Sequence, residues 1–234
     1  YLYEPGLHIP MIVWAPGLIR PGTVIDDLVC TTDISATVLK LAGAEIPDYI
    51  TAKPFLGVDH PQYRSYVRSA RDIWDEIDEC SRSITTKKYS YIKNYMPEIP
   101  WATDQAYLEL NRPALWSMRK LKAEGNLSET EMTFFRDRKP AEELYDLKKD
   151  PNQLHNLAGN PEYAEVLSQM RSMETDWQSR HKDYGLEDLG KRTPEQGLGA
   201  VKAREWVQKN HPDWWQRLEN GELMATHRWI REAR

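Results

Sequence analysis

Ile9-Pro10-Met11-Ile12-Val13-Trp14-Ala15 is an apolar run without alternation, closed by Pro16 and Gly17. A run of this length and kind suits a strand covered on both faces, as in parallel sheets flanked by helices. It therefore predicts an α/β fold. Such a strand needs neighbours on both edges, and no second run of this type follows in the 234 residues. The rest of its sheet is expected from chain preceding residue 1.

Working outward, Pro21-Gly22 makes a turn, and Thr32 and Asp33 are placed to cap a helix. Its apolar positions Ile34, Val38, Leu41 and Ala42 fall on one face, and Gly43 stops it. From Glu45 to Pro61 the chain is rich in Pro, Gly and Asp, which reads as a crossing into a second region. Segments 63–70 and 82–93 alternate Tyr, Val, Ile and Thr with Arg, Lys and Ser, the period of half-exposed antiparallel strands, with Tyr89 and Tyr91 on one face. The pattern turns helical between Thr103 and Lys122, Ser128 and Glu131 form a capping box, and Glu142–Leu147 returns to strand. Asn160 and Pro161 open the clearest helix, with Tyr163, Val166, Leu167, Met170, Met173 and Trp177 on one stripe that should pack on the small sheet. Beyond Lys182 a glycine-punctuated linker leads to an amphipathic tail carrying Trp206, Trp214, Trp215 and Trp229.

Composition narrows the function classes. The chain is 40% hydrophobic and 29% charged, with a mean hydropathy of −0.71. That is polar for a self-contained domain. Nine Trp and twelve Tyr argue against disorder. The formal charge of −5 comes from 36 acidic and 31 basic residues well mixed along the chain. It offers no field for nucleic acid or an anionic membrane, and neither is expected as a partner. Cys30 and Cys80 sit in no zinc-binding spacing. The longest apolar stretch, Leu7 to Ile19, is too short and too broken by His8, Pro10 and Pro16 to span a bilayer.

Two stretches resemble signatures of the type I sulfatases, members of the alkaline-phosphatase-like superfamily. The first is Tyr3-Glu4-Pro5-Gly6-Leu7-His8-Ile9-Pro10-Met11-Ile12-Val13-Trp14, continuing through Pro16-Gly17 and Pro21-Gly22-Thr23 to Thr32-Asp33-Ile34-Ser35-Ala36-Thr37-Val38-Leu39. It is similar to the family's Tyr-Glu-Gly-Gly loop, apolar strand, turns and Thr-Asp helix. The second is Glu143-Leu144-Tyr145-Asp146-Leu147 with Asp150-Pro151 and Asn156-Leu157-Ala158, similar to the family's C-terminal strand and turn. Pro5 stands where the family usually has Gly, His8 where it often has Arg, Ala36 where it often has Pro, and Gln153 where Glu is common. Pro97-Glu98-Ile99-Pro100 before Thr103-Asp104-Gln105 is similar to heparan N-sulfatase-like members.

The resemblance implies the C-terminal part of an alkaline-phosphatase-like sheet plus a small α+β subdomain with an antiparallel sheet and a packed C-terminal helix. It divides the chain into residues 1–60, the closing strand and helix of the catalytic domain; 61–183, the small subdomain; and 184–234, a Trp-rich helical extension. The implied reaction is hydrolysis of a sulfate ester or sulfamate on a sulfated saccharide. It needs a strong nucleophile and a clamp for the sulfate oxygens. The family supplies these as formylglycine, made within a Cys/Ser-x-Pro-x-Arg motif, and calcium held by carboxylates and an amide. Neither cysteine has Pro and Arg at the required offsets, because Cys30 precedes Thr31-Thr32-Asp33 and Cys80 precedes Ser81-Arg82-Ser83. No catalytic residue or metal ligand is therefore assigned here. Calcium and formylglycine are expected outside this chain, in an N-terminal part of the same enzyme that would be its partner. A secreted, periplasmic or lysosomal location is implied by the family.

Within the chain, His8 lies on the loop that approaches the active site in the family. The dense acidic segment Arg71-Asp72-Ile73-Trp74-Asp75-Glu76-Ile77-Asp78-Glu79 is read as a connection after a strand. A solvated loop explains it on residue chemistry alone. The family resemblance makes Arg71, Asp72 and Glu76, with His8, candidate contacts for sugar hydroxyls and charges. Two alternatives stand beside the sulfatase reading: a phosphonate or phosphate ester hydrolase of the same superfamily, and a noncatalytic binding module with Trp-rich tail contacts. The purified 234-residue chain is expected to hydrolyse an aryl sulfate no faster than a blank, and clear turnover would refute that assignment.

Overall fold

The structure, a computed structural model, describes residues 1–59, 61, 63–74, 77–103, 112–191 and 205–220. The expected helical stretch from Thr103 lies partly outside these residues, as do Glu76 and Trp229, while the side chains of Trp214 and Trp215 are likewise undescribed. No described helix is long and apolar enough to cross a membrane.

Four strands, β1 (Val67–Trp74), β2 (Ile77–Thr85), β3 (Tyr89–Asn94) and β4 (Glu142–Asp146), form one sheet in that spatial order. β3 and β4 are antiparallel, with Tyr91 opposite Leu144 and Ile92 opposite Glu143. The segment 82–93, expected as one strand, is the end of β2, a tight reversal and β3. Thr86 makes the reversal, its N–H donating to the Tyr89 carbonyl at 2.8 Å and its Oγ1 accepting the Tyr89 N–H at 2.8 Å. Alternation continues through so short a turn, so periodicity does not reveal it. Nor is this stretch half-exposed: eight of the nine β2 residues are buried, although the strand is mostly polar.

The chain forms two compact units. Residues 1–70, 82–93 and 142–182 make the first, and 71–81, 94–141 and 183–234 the second. In the first, Ile84, Tyr91 and Leu144 from the sheet meet Leu167 and Met170 from helix α5 (Ala164–Arg180), with Tyr163, Val166 and Met173 packed around them. The predicted stripe thus lands on the small sheet, started by Asn160, whose side chain accepts the Glu162 N–H. Its last member, Trp177, lies under the Arg68 guanidinium at 3.6 Å, while Arg68 donates twice to Glu174, each at 2.8 Å. A second cluster of the same unit joins Ile92 and Tyr145 to Leu2, with Tyr3 and Leu7 alongside. In the second unit Ile77, Cys80, Met96 and Ile99 gather with Tyr95, Leu186 and Leu189. There helix α3 (Pro113–Ala123) follows, and the short α4 (Glu129–Met132) carries the expected capping box, Ser128 and Glu131 satisfying each other's backbone N–H.

Helix α2 (Thr31–Leu41) is present with a different start and a different buried face. Cys30 is the N-cap, and Asp33 sits at the third position, where its carboxylate accepts the Cys30 N–H at 2.8 Å. Asp33, Ala36 and Thr37 are buried, whereas Ile34, Val38 and Leu41 are exposed. Polar bonds orient this helix: the Asp33 and Thr37 side chains accept the Lys53 and Phe55 N–H groups at 2.7 and 3.1 Å. The run 9–15 belongs to no strand, and Ile12 and Trp14 stand 95% and 87% exposed. An apolar run becomes a strand only when it has a ladder partner, and none of the described residues supplies one.

Leu144 is fully buried at the meeting of sheet and helix. Leu144→Ala is expected to cost about 2–5 kcal/mol through lost transfer energy and a residual cavity. Thermal melting checks this, with Leu154→Ala as the exposed control expected to change little.

Candidate functional site

Residues 4–8 fold into a single helical turn, α1 (Glu4–Leu7), with Tyr3 as its extended N-cap and His8 as its C-cap. Pro5 fits because it lies in the first turn, where a missing N–H leaves no bond unmade. Gly6 is required for space: a Cβ there would come within 2.7 Å of the Tyr1 carbonyl oxygen. Glu4 is the hub. Its N–H donates to Gln153 Oε1 at 2.6 Å, its carbonyl accepts the His8 N–H at 2.8 Å, and its Oε2 lies 2.9 Å from His8 Nδ1. The His8 ring itself is exposed.

Two anchors hold this turn against the sheet. The Tyr3 hydroxyl donates to Glu143 Oε2 at 2.8 Å, and the Tyr145 hydroxyl donates to the same oxygen at 2.6 Å. Burial and the neighbouring Glu143 carboxylate push the Tyr145 phenol far above its ordinary range, so it stays a donor. The other anchor is Gln153, at the end of the turn that opens with Asp146 and Asp150-Pro151. It is buried and holds a left-handed φ of 55°, the only positive φ outside glycine among the described residues. That backbone costs a non-glycine residue about 1–2 kcal/mol. On sequence Gln153 stood out only as a departure from the family pattern. The signal available was a turn that must end in a special conformation.

Arg71 and Asp72 lie on β1, not on a connection after it, because strand pairing continues to Trp74. Arg71 Nε donates to Glu79 on the neighbouring strand, and its guanidinium lies 5.3 Å from the Trp74 ring centre. Glu79 is therefore no part of a solvated loop. It is buried, pairs with both Arg71 and the buried Lys139, and accepts from Ser81 Oγ at 3.2 Å. Burial alone would raise the Glu79 pKa, but the two cations outweigh it and hold the carboxyl below its ordinary value. Lys139, invisible to sequence motifs, is thus the counter-charge that keeps Glu79 ionised. Asp72 is half-buried on the same strand. His8 belongs to the first unit, and Arg71 and Asp72 to the second.

The Thr-Asp helix has a third carboxylate of this kind. Arg64 donates to both oxygens of Asp33, and also to the Thr51 carbonyl at 3.1 Å. Burial again opposes the charge, and the Arg64 pair with the Lys53 and Cys30 N–H groups overcomes it, lowering the Asp33 pKa. Asp33 organises residues 51–64 and is not available for chemistry. Among the described residues no cluster of His, Cys, Asp or Glu could hold a metal ion. The buried carboxylates of Asp33, Glu79, Glu143 and Glu174 are committed to cations, phenols or backbone N–H groups, and without a cluster the described residues do not fit a calcium centre.

Comparison with known proteins assigns the geometry. Residues 1–104 match the family described as N-sulphoglucosamine sulphohydrolase, C-terminal. An ulvan-active sulfatase of Formosa agariphila is 37% identical over 176 residues, 75% of this chain and 29% of that protein. The chain belongs to the sulfatase family. A delta 4,5-hexuronate-2-O-sulfatase of Bacteroides thetaiotaomicron is 26% identical over 188 residues, 77% of this chain and 30% of that protein. The fold is shared with a candidate sulfatase of Bacteroides thetaiotaomicron known from its crystal structure, at a TM-score of 0.50 and 21% identity, over 79% of this chain and 32% of that one. The chain thus spans about a third or less of the sulfatases it matches, and what it matches is their C-terminal part.

The sulfatase chain's buried charges make a pH prediction with a definite sign. Glu79 and Asp33 both have folded pKa values below their ordinary ones. They contribute stability above the unfolded carboxylate range, about pH 4, and that stability is lost as pH falls through the lowered folded values. Lys139→Met should cost about 3–5 kcal/mol at neutral pH, because it leaves Glu79 buried with one cation fewer. Since a protonated Glu79 tolerates the loss, the gap between variant and wild type is expected to narrow below about pH 4. Melting temperatures across pH check both statements; a gap constant with pH would contradict the charge argument.

Proposed function

We propose that this chain is the C-terminal part of a sulfuric ester or sulfamate hydrolase acting on sulfated saccharides. The carrying observation is the 37% identity to an ulvan-active sulfatase across 75% of the chain. The hexuronate 2-O-sulfatase likeness supports a saccharide in the same way. Formylglycine and calcium would be supplied by the part of the enzyme outside this chain, a reading supported by the match to the C-terminal part of the family. Exposed Ile12, Trp14, Val24 and Val38 support a partner of that kind, because a scattered polar surface would not place so much apolar area in one stretch of sequence. The proposed domains are residues 1–60, closing the catalytic domain, 61–183, the small subdomain, and 184–234, the Trp-rich extension. The proposed location is secreted, periplasmic or lysosomal.

His8, Arg71, Asp72 and Glu76 are the proposed substrate contacts. His8 is supported by its exposed ring on a loop held by two anchors, and Arg71 by a guanidinium whose orientation is fixed by Glu79 and Trp74. A preset guanidinium or imidazole N–H gives orientation-sensitive bonds to sulfate and hydroxyl oxygens. His8 and Asp72 make the cleaner tests, because Arg71 also neutralises a buried carboxylate. In the complete enzyme, His8→Ala and Asp72→Asn should lower kcat/KM on a sulfated oligosaccharide by about tenfold or more, the effect of one charge-assisted bond. Turnover of a small aryl sulfate should change by less than about twofold, because it lacks the sugar those bonds recognise. Equal loss on both substrates would point to folding, and no loss on either would remove these residues from the site.

A further inference from the structure

Gln153 combines three features that a turn residue does not need together. It holds a left-handed backbone where glycine would be unstrained, it is buried, and its side chain reaches a residue 149 positions away in sequence. Only half of its amide is used. Oε1 accepts the Glu4 N–H at 2.6 Å, while Nε2 is buried with no hydrogen-bond partner. The reverse amide orientation would set donor against donor at Glu4, so the oxygen must face that N–H. A disfavoured backbone and an orphaned buried donor persist only where another interaction requires them.

Glu4 passes that interaction on. Its carbonyl accepts the His8 N–H and its carboxylate faces the His8 ring, so fixing the Glu4 backbone fixes both ends of His8. We infer that Gln153 is a positioning residue for His8: through Glu4 it sets where the imidazole of the 4–8 turn is presented to substrate. This rests on the reading of that turn as a substrate loop. Because only the acceptor is in use, a carboxylate can take over the role, and a residue without an acceptor cannot, however well it suits the backbone.

Three variants of the complete enzyme separate positioning from turn formation. Gln153→Gly relieves the backbone but deletes the acceptor, Gln153→Ala deletes the acceptor without relieving the backbone, and Gln153→Glu keeps the acceptor. Amide hydrogen exchange over residues 1–9 is measured beside steady-state kinetics on ulvan oligosaccharides. Exchange in Gln153→Gly and Gln153→Ala is expected to rise roughly 3- to 10-fold, as for one lost hydrogen bond. KM should rise by a similar factor with kcat changed less than about twofold, since a uniformly held binding group is lost. Gln153→Gly should melt no lower than wild type, and Gln153→Glu should return exchange and KM to near wild-type values. Wild-type exchange and KM in Gln153→Gly would overturn the proposal and leave Gln153 as a turn residue. Faster exchange with an unmoved KM would overturn it too, by separating the turn from substrate. If the wild-type enzyme turns over neither ulvan oligosaccharides nor an aryl sulfate, the saccharide sulfatase reading fails. The exchange comparison then decides by itself whether Gln153 holds the turn.

Discussion

The register of β4 against β3 is the constraint on which the first unit depends. With Tyr91 opposite Leu144, one face of β4 sends Glu142 and Leu144 toward α5 and the other sends Glu143 and Tyr145 toward residues 1–8. A slip of one residue would exchange the faces, setting Glu143 against Leu167 and Met170 and removing the acceptor shared by Tyr3 and Tyr145. The chain after β4 prevents the slip. Asn156 accepts the Leu144 N–H and donates to the Glu142 carbonyl, both at 3.0 Å, and the Leu157 N–H reaches the Leu144 carbonyl at 2.8 Å. The same bonds cover the outer edge of the sheet, which would otherwise present unpaired backbone groups. Asn156-Leu157-Ala158 is therefore both a turn and an edge guard.

A polar sequence becomes a folded one here by burying charges in compensated sets. Glu79 with Arg71 and Lys139, Asp33 with Arg64, Glu174 with Arg68, and Glu143 with two phenols each occupy interior positions. Such sets add little net stability compared with an apolar core of the same volume, because desolvation cancels much of the attraction. What they do impose is a penalty on every arrangement in which a partner is missing. In β2, where polar side chains outnumber apolar ones, that penalty fixes neighbours that hydrophobic packing would leave undetermined. The hydropathy of the chain is thus a poor guide to how much of it is buried.

What could be read from the sequence follows from this division. Local signals carried through: the stripe of α5, the Asn160 and Ser128 caps, and β4 all depend on residues within a few positions of one another. Tyr89 and Tyr91 share a face as their spacing requires, and both pack on one cluster. Two of the misreadings involve long-range polar pairing. Ile34, Val38 and Leu41 look like the buried stripe of α2, yet Asp33 and Thr37 turn the helix the other way by bonds to residues 53–64. The acidic segment looks solvated until Lys139, sixty residues on, supplies the charge that lets Glu79 be buried. The 82–93 hairpin hid because its turn keeps the alternation of the strands it joins. Of the site, His8 was visible through the family pattern, whereas the residue that fixes its position was visible only as an oddity.

Those oddities acquire a common explanation once the turn is seen in place. Of the four departures from the sulfatase pattern, Pro5, His8 and Gln153 meet in one turn and its anchor, and the fourth, Ala36, is buried in α2. Pro5 presets the first turn that Glu4 begins. The side-chain oxygen at 153 holds the Glu4 N–H, and the Glu4 carboxylate faces the His8 ring. An imidazole at 8 is shorter than Arg and presents a single nitrogen, Nδ1, to the one Glu4 carboxylate. The three residues are therefore mutually consistent, and loss of the acceptor at 153 is felt at residues 4–8. The geometry of the 4–8 turn is thus a property of the turn and its anchor together, which no single position within it determines.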